Sequence, residues 1–104
     1  MKLIWENIAL EQFLQVAEYV GCRFGEKRMY VFLQEVEHIT DLLLINPYMG
    51  TLDETLSDRT KAYRSMVVCK KDRIVYYVDD NDIIHISAFW DCRSNPKNRI
   101  KHLT

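Results

Sequence analysis

The chain has 104 residues, of which 48% are hydrophobic and 28% charged, and its net charge is −1. A single domain of this length can bury a core, and the apolar share excludes a disordered or acidic solvating segment. The apolar runs, such as residues 42–45, are far shorter than the roughly 18 residues that a membrane-spanning helix needs. Polar residues also follow the N-terminus too soon for a signal peptide. We therefore expect a cytoplasmic protein without a membrane partner.

The cysteines and histidines show no pattern of a metal site. The chain has three of each, widely spaced, with no Cys-x-x-Cys pair and no spacing typical of metal ligands. The sequence thus predicts neither a disulfide framework nor a metal or other cofactor.

Residues 2–5 are apolar and bounded by polar residues, so they are predicted to form a first strand. Apolar residues then recur at helical spacing, which predicts a first helix over Ile8–Val20. Asn7 suits the N-cap of this helix, and Gly21 suits the position just after its end, where φ is positive.

A second helix is predicted by apolar residues at i, i+3, i+4 and i+7 from Met29 to Leu43. It is expected to end before Pro47, because the residue preceding a proline is driven out of the helical region. About five residues separate the two predicted helices, so they should form an antiparallel hairpin.

A polar loop over residues 51–60 follows, and Leu52 and Leu56 are expected to attach it to the core. Three runs rich in β-branched and aromatic residues come next, separated by short polar turns typical of hairpins. These predicted strands are Ala62–Cys69, Arg73–Val78 and Ile83–Trp90. The predicted fold is α+β with the order β-α-α-β-β-β, in which an N-terminal antiparallel helical hairpin packs on a small, mainly antiparallel sheet.

The order of several short motifs along the chain resembles a known family. Asn46-Pro47-x-x-Gly50 ends the helical hairpin, Tyr63-Arg64 opens a strand, and residues 89–96 read Phe-Trp-Asp-Cys-Arg-Ser-Asn-Pro. Over residues 1–96 the chain resembles the RelE/ParE superfamily of small bacterial toxins from type II toxin–antitoxin modules, also described as plasmid stabilisation proteins. The resemblance implies a growth-inhibiting protein that an antitoxin encoded beside it neutralises.

The superfamily has two activities, and the resemblance favours one of them. RelE-like and YoeB-like members cut messenger RNA on the ribosome, whereas ParE-like members inhibit DNA gyrase and have no established catalytic centre. Asp91 stands where ParE-like relatives often carry His, and an ionised Asp is a poor proton donor at neutral pH. The near-neutral charge is also unusual for a protein that acts on the ribosome. We therefore favour the gyrase inhibitor, with the endoribonuclease and a non-toxic relative that only binds a partner as alternatives.

For a ribonuclease, the resemblance indicates Arg64 and Arg93 as the cations that stabilise the phosphorane, with His85 as a candidate acid or base. The acid and the base are not assigned, and alternation does not decide which face of the sheet His85 occupies. The structural alternative for Arg64 is an ion pair with Glu54 or Asp58.

For binding a target or a nucleic acid, the candidates include the acidic–basic motif Asp91 and Arg93 together with Arg64. Asp91 and Arg93 could instead pair with each other. The basic tail, residues 97–104, adds Lys97 and Arg99, and residues 93–104 contain no acid at all. Such a tail is a plausible contact for phosphate or an acidic partner, with a frayed, solvated terminus as the alternative.

Overall fold

The helical hairpin of this protein packs against one face of a five-stranded sheet. The computed structural model describes residues 1–91 and 96–104. The helices are Asn7–Phe24 (α1), Glu26–Ile45 (α2) and the single turn Pro96–Arg99 (α3). The strands are Lys2–Trp5 (β1), Thr51–Leu52 (β2), Arg64–Val68 (β3), Asp72–Val78 (β4) and Ile83–Trp90 (β5), with a 3₁₀ turn at Glu54–Leu56. In the described part of the chain, no helix is long and apolar enough to cross a bilayer.

The sheet order is β1-β5-β4-β3-β2, and β1 runs parallel to β5 while every other pair is antiparallel. The predicted α+β fold is therefore confirmed. The sequence missed the two-residue strand β2, which pairs with the start of β3. The central strand β4 is covered on both faces, since Ile74, Val75 and Tyr76 are fully buried.

The connection within the helical hairpin differs from the prediction. Helix α1 continues through Gly21 to Phe24, and Gly25, with φ of 95°, alone separates it from α2. Glu6 rather than Asn7 occupies the N-cap. Gly21 serves close packing instead of ending the helix, because a Cβ there would lie 2.9 Å from the sulfur of Met29 in α2. The sequence does not distinguish a glycine at a helix crossing from one at a helix end, so the prediction that Gly21 ends α1 was wrong.

The hairpin-facing core is built around an aromatic cluster. The ring of Phe13 in α1 lies 5.0 Å from Trp5, 5.7 Å from Phe32 and 5.4 Å from Phe89, measured between centroids. Aromatic pairs at these separations add stability beyond the area that they bury. The cluster ties β1, both long helices and β5 together.

A β-bulge in β5 decides which side chains reach this core. Val75 of β4 pairs with Ala88, but the next residue, Tyr76, pairs with Ile86, so Ser87 falls outside the pairing. The extra residue reverses the alternation of side chains along the strand. Ile86 and Phe89 consequently both pack in the core under the hairpin.

The second face of the sheet carries a smaller core, formed with the 3₁₀ turn and the C-terminal segment. Its buried members are Leu56, Tyr63, Val75, Ala88 and Leu103. Leu56 is buried as predicted, whereas 59% of Leu52 is exposed and the expectation that it attaches the loop to the core was wrong. Leu52 lies in the edge strand β2, which has no neighbour on its outer side in the described sheet.

Candidate functional site

Arg64 braces the loop that follows the helical hairpin. Its Nη1 donates hydrogen bonds to the carbonyl of Gly50 at 2.8 Å and to that of Tyr48 at 3.3 Å. Its guanidinium carbon lies 5.2 Å from the centroid of the Tyr48 ring. Within the described residues Arg64 has no ion pair with Glu54 or Asp58. Its structural contacts are instead the hydrogen bonds to the two loop carbonyls.

The glycine that ends the Asn-Pro-x-x-Gly motif, Gly50, packs closely against Tyr76. The Gly50 amide donates a hydrogen bond of 2.9 Å to the hydroxyl of buried Tyr76. A Cβ on Gly50 would lie only 2.7 Å from that hydroxyl, so no larger residue fits without a shift. Burial raises the pKa of Tyr76, which keeps its hydroxyl protonated at neutral pH.

His85 occupies the opposite face of the sheet, in a cluster that we call the His85 cluster: Glu6, Tyr77, Asp79 and His85. The Nε2 of His85 lies 2.8 Å from Oδ2 of Asp79, and its Nδ1 lies 3.9 Å from a carboxylate oxygen of Glu6. The Tyr77 ring stacks on the imidazole at 4.7 Å with an angle of 5° between the planes. The imidazole is thus held between two carboxylates and covered by an aromatic ring.

Asp79 is the best-connected carboxylate of the His85 cluster. Beyond His85, its Oδ1 accepts hydrogen bonds from the backbone amides of Asn81 and Ile83 at 2.8 and 3.0 Å. The bond with His85, followed by that from the Ile83 amide, holds the pKa of Asp79 below its ordinary value. Asp79 therefore stays ionised, and the turn that follows adds further acidic residues, Asp80 and Asp82. The negative charge of these carboxylates would repel an RNA phosphate.

Arg64 and His85 do not converge on one site. Arg64 pairs directly with Tyr76, and His85 pairs directly with Tyr77, the next residue of β4. Directly paired residues share a face and consecutive residues occupy opposite faces, so the two candidates project to opposite sides of the sheet. The sequence could not show this, because it depends on the register of three strands.

The remaining predicted residues that the structure describes lie around the end of β5. Asp91 is buried, with 3% exposure, and Arg93 lies outside the described residues. Lys97 is exposed on α3, whereas Arg99 is half-buried and its Nη1 donates to the Gln15 side chain at 3.3 Å. The Asp91–Arg93 pair, considered as the structural alternative, also lies outside the described residues.

The C-terminal segment is packed on the sheet. His102 Nε2 donates to the carbonyl of Ser87, the bulge residue, at 2.6 Å, and Leu103 is 5% exposed. A main-chain oxygen of Thr104 accepts hydrogen bonds from the amide and the hydroxyl of Thr60 at 2.5 and 2.6 Å. These contacts cover the part of the second face that lies beyond the His85 cluster.

Gln12 connects α1 with this segment, a role that the sequence analysis missed. Its Oε1 accepts from the Phe89 amide at 2.9 Å, and its Nε2 donates to the Arg99 carbonyl at 3.1 Å. Gln12 is only 7% exposed, on the face of α1 that carries the buried apolar residues. A polar residue at a core position of an amphipathic helix was the available signal.

No group of three or more metal-ligating side chains that could hold an ion occurs within residues 1–91 and 96–104.

Comparison with known families matches residues 3–96 with the family described as the ParE toxin of the type II toxin–antitoxin system, parDE. The chain belongs to the ParE toxin family. No curated protein matches this toxin. Its membership makes it the toxin component of a type II toxin–antitoxin system and implies an antitoxin as its partner.

Proposed function

We propose that this toxin slows bacterial growth by binding a topoisomerase such as DNA gyrase in the cytoplasm, and that a cognate antitoxin neutralises it. The ParE family match over residues 3–96 supports the proposal, since gyrase inhibition characterises the ParE-like branch. The observation that favours it over ribonuclease activity is the separation of Arg64 and His85 on opposite faces of the sheet. Metal-free RNA cleavage requires cations and an acid–base pair around the same phosphate.

The proposed inhibition is tested by inducing the toxin in a bacterial host that lacks the antitoxin. Incorporation of thymidine and of amino acids is followed in parallel, and the purified toxin is added to a gyrase supercoiling assay. We expect thymidine incorporation to fall first and supercoiling to be inhibited. Early loss of amino-acid incorporation with cleaved messenger RNA would establish the ribonuclease alternative. Unaffected growth with folded protein would instead indicate a relative that only binds a partner.

The contribution of His85 separates the two activities more sharply. His85→Gln keeps a hydrogen-bonding side chain beside Asp79 but removes the imidazole, which is the part that could act as an acid or a base in RNA cleavage. We expect this variant to inhibit gyrase as the unaltered toxin does, because the imidazole lies within an anionic cluster. A ribonuclease that uses His85 would lose its activity.

We further propose that Lys97 contributes to target binding, because it is exposed on α3 immediately after the motif that ends at Pro96. Arg64, Asp91 and Arg99 are then expected to act by holding the surface in place, since each is at least half-buried. Arg93 stays a candidate for direct target contact.

The matched control for Lys97→Glu is Lys101→Glu, which reverses the charge of another exposed lysine in the same segment. We expect a severalfold weaker inhibition of gyrase from the first variant and little change from the second. Equal effects would indicate that only the total charge of the tail matters.

A further inference from the structure

A groove opens where the tip of the helical hairpin meets the turn between β3 and β4. Its volume is about 470 Å³, within the range of about 300–1,000 Å³ typical of ligand pockets. We call it the tip groove. Its apolar lining comes from both helices: Val20, Phe24, Val31 and Phe32. Exposure of Phe24 (51%) and Val31 (48%) leaves apolar surface that a partner would remove from water.

The rim of the tip groove is predominantly basic. Arg28 contributes from α2, and Lys70 and Lys71 contribute from the β3–β4 turn, against the acidic Glu35 and the buried Asp72. The guanidinium carbon of Arg28 and the ammonium of Lys71 each lie 6.0 Å from the centroid of the Phe24 ring. Cations from two separate elements therefore flank the same exposed aromatic ring.

The β3–β4 turn has a backbone conformation that residues other than glycine rarely adopt. Cys69 and Lys70 have φ of 53° and 69°, in the left-handed region that favours glycine. Strained residues of this kind occur often at binding sites. Neither Cys69 nor Lys70 is a glycine, and both residues line the tip groove.

We infer that the tip groove binds an acidic amphipathic segment of the antitoxin, an inference that rests on the proposed neutralisation by an antitoxin. The apolar lining suits an aliphatic or aromatic anchor side chain, and the basic rim suits carboxylates on either side of that anchor. A nucleic acid fits less well, because the floor of the groove is concave and apolar. Antitoxin segments that fold on binding use such anchors to offset the cost of ordering.

The test uses a double charge reversal, Arg28→Glu with Lys71→Glu, in the full chain. Both side chains are exposed, so the variant is expected to fold, which circular dichroism checks. Binding of the purified antitoxin, the polypeptide encoded beside the toxin gene, is measured by isothermal titration calorimetry at two salt concentrations. We expect the dissociation constant to rise at least about tenfold, with a weaker dependence on salt than for the unaltered toxin.

The matched control is Arg23→Glu with Lys27→Glu, which makes the same change of charge at the same tip with residues that do not line the groove. We expect the control to bind the antitoxin within about threefold of the unaltered toxin. A second variant, Val31→Asp, places a charge on the exposed part of the apolar lining and should weaken binding without a change of rim charge.

Two outcomes separate the inference from the proposed function. Tight antitoxin binding to the unaltered toxin, retained by both groove variants, overturns the tip groove as the docking site and leaves neutralisation intact. Absence of antitoxin binding to the unaltered toxin overturns the proposed neutralisation and the inference with it.

An equal loss from the groove variant and its charge-matched control also overturns the inference, because it would show a general charge effect. Binding of a 20-nucleotide RNA that the groove variant loses while keeping the antitoxin would assign the groove to nucleic acid instead.

Discussion

The two faces of the sheet are built in different ways. The face under the helical hairpin buries an aromatic and aliphatic core in which Phe32, Ile84 and Phe89 are at most 4% exposed. The other face is covered in part by the 3₁₀ turn and the C-terminal segment, and the remainder carries the partly buried His85 cluster. The face under the hairpin thus carries the larger core, and the other face carries a smaller core beside a polar cluster. A strand exposes alternate residues to each side, so a single β5 serves both.

The largest effect is expected from Phe89→Ala on the hairpin-facing side. The ring is fully buried and contacts Trp5, Phe13 and Phe32, so its removal leaves a cavity that the helices cannot fill. We expect the free energy of unfolding in urea to fall by about 3–5 kcal/mol. Val67→Ala, on a side chain that is 52% exposed, is the control and should change stability by less than about 0.5 kcal/mol. A small loss for Phe89→Ala would mean that the hairpin-facing core is loosely packed.

A smaller effect is expected from Leu103→Ala on the second face. Leu103 is 5% exposed, but it lies outside the helices and strands, in a segment that can shift to fill part of the cavity. We expect a loss of about 2–3 kcal/mol, at the low end of the range for buried leucines. Hydrogen exchange of residues 100–104 should rise in this variant well before that of β4. Equal protection in both proteins would show that Leu103 does not hold the segment.

Gln12→Ala tests the link between the two faces. The substitution removes the acceptor of the buried Phe89 amide and the donor to the Arg99 carbonyl. An unpaired buried amide costs about 1–3 kcal/mol, and we expect a loss of that size in chemical denaturation. Gln15→Ala, which removes an exposed acceptor of Arg99 at 3.3 Å, is the matched control and should have little effect. Similar losses from both variants would contradict a special role for Gln12.

The smallest expected effect concerns the pH dependence of the His85 cluster. The pKa of Asp79 is lowered in the folded protein, so its contribution to stability is present above its ordinary value of 3.8 and is lost as the pH falls through the folded value. Asp79→Asn should therefore be less stable than the unaltered toxin at pH 6, and the difference should shrink as the pH falls below about 4. Urea midpoints at several pH values measure this, with Asp80→Asn as the control. A difference that does not depend on pH would show that the carboxylate charge is irrelevant.

Much of the fold follows from local patterns in the sequence. Helical spacing of apolar residues located both long helices, and β-branched and aromatic runs located β3, β4 and β5 within two residues. Those patterns report which residues seek burial, which is a property of short segments. Pro47 likewise predicted the end of α2, because its effect on the preceding residue is local.

The candidate site could be predicted only in part, because it depends on register and on packing between distant segments. The sequence offered Arg64 and His85 as candidates, but the pairing of β3, β4 and β5 and the bulge at Ser87 decide that they face opposite sides. The prediction placed Gly21 at the end of α1, a position that Gly25 occupies, because the close approach of Gly21 to Met29 is a contact between two helices that local spacing does not show. The parallel pairing of β1 with β5 and the docking of the C-terminal segment are contacts between residues about 80 positions apart, and no local pattern encodes them. Sequence alone therefore determined the elements and their apolar faces. The tertiary structure decided which polar groups come into contact. Groups far apart in sequence come together only when long loops close, and only the complete core offsets the entropy cost of that closure.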